Sequence, residues 1–191
     1  MGLIHVVSED ITGIDADVIV NSANPPLGGI GPGLPDGVGG VDGAIHRAAG
    51  IELWHHLQTF PILGEIEKGW PARCWPGSCV TTPGFRMKAR YIVHGVAPVF
   101  DGAKANNCFD LLRAVYKAIF REIERMPAVR LIAAPPIGTR SYGFPKEEAS
   151  RIAVSEAEAF VNRHPSDIVF SVVDPVEMAL YMARVPSKPA G

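Results

Sequence analysis

Two asparagines, an aspartate and a histidine are spaced along residues 15–50 in a way that can do chemistry. Residues 15–24 read Asp-Ala-Asp-Val-Ile-Val-Asn-Ser-Ala-Asn, and residues 39–46 read Gly-Gly-Val-Asp-Gly-Ala-Ile-His. Val18-Ile19-Val20 has the composition of a buried strand, with Asn21 and Asn24 at its carboxyl end, where ligands dock on open α/β sheets. The segment from Gly43 to Gly50 reads as a short helix. Its free N–H groups and positive dipole end favour an anion, and Gly39 and Gly40 allow close backbone approach. Asp42 stands beside that anion site. Strand end, amides, helix start and carboxylate point to a phosphate-bearing ligand with acid–base chemistry next to it. A carboxylate near bound phosphate feels like-charge repulsion, which raises its pKa and makes it a better base. Capping the helix is the competing role for Asp42. His46, one turn on, either faces the same cleft or packs.

The elements that must position these groups follow from pattern. Residues 3–7 read as an edge strand and Val18–Asn21 as a central one. Residues 25–40 are loop, rich in Pro and Gly. Gly43–Ala49 and Ile51–Thr59 read as helices, Ser78–Thr81 and Tyr91–Val96 as strands. Asn106–Met126 carries Phe109, Leu112, Val115, Ile119 and Ile123 at helical spacing. Leu131–Ala134 is a short buried strand. Pro145–His164 reads as a long helix with Pro145 in its first turn. Ile168–Val173 is a strand, Val176–Arg184 a last helix, and 185–191 a frayed tail. Alternating strands and helices predict an α/β fold, with a central, largely parallel sheet covered on both faces.

Four segments, in order, carry a family resemblance: Asp10-Ile11-Thr12; Asn21-Ser22-Ala23-Asn24 with Gly39–Gly50; Arg90–Pro98; and Ile132–Ile137 running on to Tyr142-Gly143-Phe144-Pro145. Together they resemble the macrodomain signature of the MacroD-type ADP-ribosyl hydrolases, from about residue 3 to about residue 184. The resemblance implies a three-layer α/β/α sandwich with a mixed sheet of about six strands, as a single domain over residues 1–191. It implies binding of ADP-ribose and hydrolysis of esters at its distal ribose: O-acetyl-ADP-ribose, or mono-ADP-ribose on protein Asp/Glu. Asp42 would hold or activate the attacking water and Asn24 would bind the distal ribose hydroxyls. Asp10, otherwise a turn or capping aspartate, would accept from the adenine amine with help from the Ile11 backbone. Gly39, Gly40 and Val41, with Gly138, Thr139, Arg140, Ser141 and Tyr142 of a second loop, would line the phosphates and distal ribose. No metal or redox cofactor is expected.

The chain departs from the family pattern in four places. Asn24 and Asp42 are 18 positions apart, so about eight residues, Ile30–Gly37, look inserted, and Pro32 and Pro35 would stiffen them into an ordered rim. Gly138 replaces a hydroxyl residue. Arg140 occupies a usual glycine position, where a positive φ would strain it; it either reaches a phosphate or lies in solvent. Val173 stands where many relatives carry an adenine-stacking aromatic. Trp70, Trp75 and Phe85 read as packing residues.

At 191 residues the chain is long enough for a full core. A net charge of −2 offers no footprint for bulk nucleic acid. Acidic residues near the start and the lack of a spanning apolar run lead to the expectation of no secretory leader and no membrane partner. Three cysteines with no CxxC read as free thiols in a reducing compartment, the cytoplasm. Two other functions use the same pocket: a non-catalytic ADP-ribose reader, and a processor of RNA ends or cyclic phosphates.

Overall fold

The computed structural model describes residues 1–28, 39–67 and 69–185. The inserted segment Ile30–Gly37 and the tail beyond Val185 lie outside the described residues. In chain order the first half gives β1 (Ile4–Val7), a 3-10 turn (Ile11–Gly13), β2 (Val18–Ala23), α1 (Gly40–Ala49), α2 (Ile51–Gln58), β3 (Gly64–Glu67) and β4 (Trp70–Ala72). The second half gives β5 (Ser78–Pro83), β6 (Tyr91–Val96), α3 (Ala105–Ile123), β7 (Leu131–Ala134), α4 (Lys146–Val161), β8 (Asp167–Ser171) and α5 (Pro175–Met182).

Six strands form one sheet in the order β1-β8-β7-β2-β6-β5, and β3 and β4 form a separate two-stranded pair. Every pairing in the large sheet is parallel except β5 with β6. Parallel neighbours require crossovers, and the helices that supply them cover both faces.

The two faces are set by the period-two alternation of each strand. On β2, Val18 and Val20 join the core beneath α3, α4 and α5, with Leu112, Ile119, Ile152 and Phe160. Ile19 and Ala23 join the core beneath α1 and α2, with Ile45, Leu53 and Leu57. By the same parity Asn21 faces α1, in a mostly apolar layer. On β6, Ile92 and Val96 share the α1 face, and so does His94 by parity. Gly95 faces the other way, where a Cβ would sit 2.7 Å from Ile119 Cδ1 and 2.9 Å from Val115 Cγ1. We expect Gly95→Ala to lower unfolding free energy by about 1–3 kcal/mol, the usual cost of overpacking, measured by denaturant titration. A change under half a kcal/mol would show that α3 can ride outward freely.

Three local expectations are corrected. β2 does not stop at Asn21; it stays paired with β6 through Ala23, so Asn21 is inside the sheet and Asn24 follows the strand end. α1 begins at Gly40, with Gly39 as N-cap, three residues before the expected start. Both glycines have positive φ, 98° and 54°, the backbone that turns the chain into the helix. Pro145 is the N-cap of α4 rather than a first-turn residue. The β3–β4 pair was not expected at all.

Candidate active site

The carboxyl ends of β2 and β7, the start of α1 and the loop after β7 enclose two adjoining cavities. The first, about 380 Å³, is lined by Asn24, Gly39, Asp42, Gly138, Ser141 and Tyr142, together with Trp70 from β4. The second, about 310 Å³, is lined by Asp10, Ile11, Thr139, Val173, Asp174 and Glu177. Gly40, Val41, Pro136 and Arg140 line both. The junction therefore lies at the N-terminus of α1, where the N-cap Gly39 has no side chain to cap it, so the first amides can meet an anion. Each site residue expected from sequence borders one or both cavities, and the structure adds Trp70 and Glu177.

Asp42 lies in the first turn of α1, and the N-cap position belongs to Gly39. Its Oδ1 accepts from Asn21 Nδ2 at 2.6 Å. The other Nδ2 hydrogen of Asn21 has a partner in His94 Nδ1 at 3.1 Å. His94 Nδ1 is then an acceptor, so the ring carries its proton on Nε2 and donates to Thr82 Oγ1 at 3.0 Å. Thr82 in turn donates to the Pro83 carbonyl at 3.1 Å. This chain runs across β5, β6 and β2 beneath α1. Complete burial pushes His94 down to about 3, so it stays neutral and its tautomer holds the Asn21 amide in one orientation. That orientation presents an N–H, not a carbonyl, to Asp42.

Burial raises the Asp42 pKa to about 6, and the Asn21 hydrogen bond opposes the rise. The desolvation is built into the protein and needs no bound phosphate, a cause different from the like-charge repulsion expected from sequence. His46 Nε2 lies 3.5 Å from Asp42 Oδ1. Burial lowers His46 to about 4, so near neutral pH the contact is that of a neutral imidazole, not an ion pair. Tyr142, bordering the same cavity, is pushed up to about 12 by burial and then by the Asp42 charge. Its hydroxyl is buried and has no partner among the described residues.

Asn24 and Asp10 both serve local structure as well as bordering the cavities. Asn24 Oδ1 accepts from Gly28 N at 3.0 Å, and among the described residues its amide N–H groups have no partner. Asp10 Oδ1 accepts from Thr12 N at 2.9 Å and from Thr12 Oγ1 at 2.8 Å, capping the 3-10 turn.

The second loop is closed by Phe144 N donating to the Gly138 carbonyl at 3.1 Å and Gly143 N to the Arg140 carbonyl at 3.0 Å. Gly138 has φ +83°, and a Cβ there would meet Phe144 at 2.8 Å, which explains why the hydroxyl residue of the family pattern is absent. Among the described non-glycine residues, positive φ occurs only at Leu27, Phe85 and Ala128. Arg140 therefore carries none of the strain expected at a glycine position. It is exposed and borders both cavities. Val173 is 53% exposed at the edge of the Asp10 cavity.

A Macro domain family model matches residues 20–153, more than half of the chain. The chain belongs to the Macro domain family. An O-acetyl-ADP-ribose deacetylase of Citrobacter rodentium is 36% identical over 180 residues, covering 93% of this macrodomain and 92% of that protein. The Oceanobacillus iheyensis macrodomain, solved with ADP, superposes with a TM-score of 0.77 at 28% identity, covering 94% of this chain and 87% of that one. A Trypanosoma brucei macrodomain in complex with ADP gives 0.75 at 30% identity, covering 95% and 68%. The mixed, mostly parallel sheet flanked by helices is the fold of these neighbours. No helix among the described residues is long and apolar enough to cross a membrane.

Proposed function

We propose that this macrodomain binds ADP-ribose across the two cavities and hydrolyses an ester at the distal ribose. The observation that carries the reading is Asp42: a carboxylate with a pKa near 6, held by Asn21 at 2.6 Å, on the wall of a cavity that meets an uncapped helix start. The ADP-bound neighbours and the deacetylase relative support the choice of ligand and ester. The pyrophosphate spans the junction at Gly40, Val41 and Arg140, with adenine toward Asp10 and the distal ribose toward Asn24, Tyr142 and Asp42.

In the proposed reaction Asp42 takes a proton from a water as its oxygen attacks the ester carbonyl carbon. The ester C–O bond breaks, and the ribose oxygen leaves as a hydroxyl after receiving that proton. Asn21 keeps the carboxylate oriented, and Asn24 fixes the ribose. Mono-ADP-ribosylated proteins are the larger substrates of the same chemistry. The test is product analysis after separate incubation of O-acetyl-ADP-ribose and an Asp/Glu-ADP-ribosylated protein with the pure protein. Release of acetate or of ADP-ribose is expected. Tight ADP-ribose binding without either product would make the domain a reader.

The adenine assignment has its own check. Asp10→Ala should weaken ADP-ribose binding by about 1–3 kcal/mol, the range for a hydrogen bond to a charged group. Calorimetry finding equal wild-type affinity for ADP-ribose and its guanine counterpart would remove the basis for that role.

A further inference from the structure

Glu177 has no role in the reaction above, yet it is a carboxylate in the wall of the ligand cleft. It sits in the first turn of α5, where its backbone N–H donates to Asp174 Oδ1 at 2.9 Å. Only 3% of the residue is exposed, and it borders the Asp10 cavity. Its Oε1 is enclosed and has no hydrogen-bond partner among the described residues. The Thr139 hydroxyl lies beside the carboxylate and favours its ionised form, and among the described residues Thr139 Oγ1 has no other partner. Nearby cations leave the carboxylate unpaired: Lys146 forms its ion pair with Asp174 at 2.8 Å, and Arg140 is exposed at the cavity junction. A buried carboxylate without a full set of donors is costly, and one that borders a ligand cavity is completed by a ligand that brings hydroxyl donors.

Position selects which hydroxyls. Glu177 lies beside Thr139, the residue before Arg140 at the cavity junction, and Asp10 and Ile11 line the same cavity. Between the pyrophosphate and the adenine of an ADP-ribose molecule lies one group, the adenosine ribose with its 2′- and 3′-hydroxyls. We propose that Glu177 reads this ribose, its carboxylate accepting from the hydroxyls and its charge rejecting a ribose that carries a 2′-phosphate. Acidic side chains bind ribose diols in this way at dinucleotide sites of other folds. Burial raises the Glu177 pKa, and hydroxyl donors from the ligand favour the ionised form, so the ligand completes the site that the protein leaves open.

The inference rests on the ADP-ribose reading and is separable from it by calorimetry with two probes, ADP-ribose and ADP-ribose 2′-phosphate. Wild type should bind ADP-ribose at least tenfold more tightly than the 2′-phosphate. Glu177→Gln, which keeps size and loses charge, should shrink that ratio to about threefold or less, chiefly by improving binding of the 2′-phosphate. A ratio unchanged by the substitution, with ADP-ribose still bound, overturns the inference alone. Absence of ADP-ribose binding to wild type overturns the underlying reading and this inference with it. If melting shows that Glu177→Gln does not fold, ADP-ribose lacking the adenosine 2′-hydroxyl is measured on wild type instead. About tenfold weaker binding is expected, and equal affinity overturns the inference.

Discussion

Asp42→Ala is expected to lower turnover of an ADP-ribosyl ester by about 100-fold or more, the usual loss with a general base. Binding of ADP-ribose should hold or improve, because a negative charge beside the pyrophosphate is gone. The helix should survive: Gly39 occupies the N-cap of α1, so the substitution removes no side-chain cap. Burial sets the Asp42 pKa near 6, so the base form prevails above that pH. Wild-type turnover should therefore rise about tenfold per pH unit below 6 and level off above 7. Steady-state kinetics, calorimetry and a melting curve on one preparation check all three points. Turnover within fivefold of wild type would show that another group activates the water.

The three layers of the fold were legible because long amphipathic segments and short apolar runs have distinct periods. What was missed lies where a local signal competes with a tertiary one. The polar run Asn21-Ser22 reads as the end of a strand, yet the ladder to β6 continues to Val96. That extension places Asn21 on the α1 face. Parity with Ile19 and Ala23 was the available signal that it meets Asp42. The glycines at 39 and 40 read as loop, while their positive φ makes them the entry to α1. β3 and β4 are four and three residues long, with no run of alternation to announce them, so Trp70 read as a packing residue. Arg140 looked like a strained substitution because the family places glycine there, but the left-handed turns fall on Gly138 and Gly143 instead. Glu177 follows a helix-capping aspartate and carried no mark of a cavity until α5 was placed against Thr139.

Asp42→Asn should make the protein more stable at alkaline pH while abolishing its base. The folded chain releases the Asp42 proton near pH 6, whereas the ordinary value for an aspartate is 3.8. Above pH 6 both the folded and unfolded chains are ionised, and the folded chain bears the cost of a carboxylate held out of water. Two pH units at about 1.4 kcal/mol each put that cost at about 3 kcal/mol. Between pH 6 and 3.8 the folded chain is protonated first and the cost fades, vanishing once both states are protonated. Asparagine at this position is neutral at every pH, and its side-chain oxygen can still accept from Asn21 Nδ2. The variant should gain about 2–3 kcal/mol of unfolding free energy at pH 8 and about half a kcal/mol at pH 4, measured by denaturant titration at each pH. A gain independent of pH would mean that repacking, not relief of a buried charge, is responsible; a loss at pH 8 would mean that the carboxylate is stabilised where it stands. The expected sign, stability gained where catalysis is lost, is what a site selected for a poised base should give.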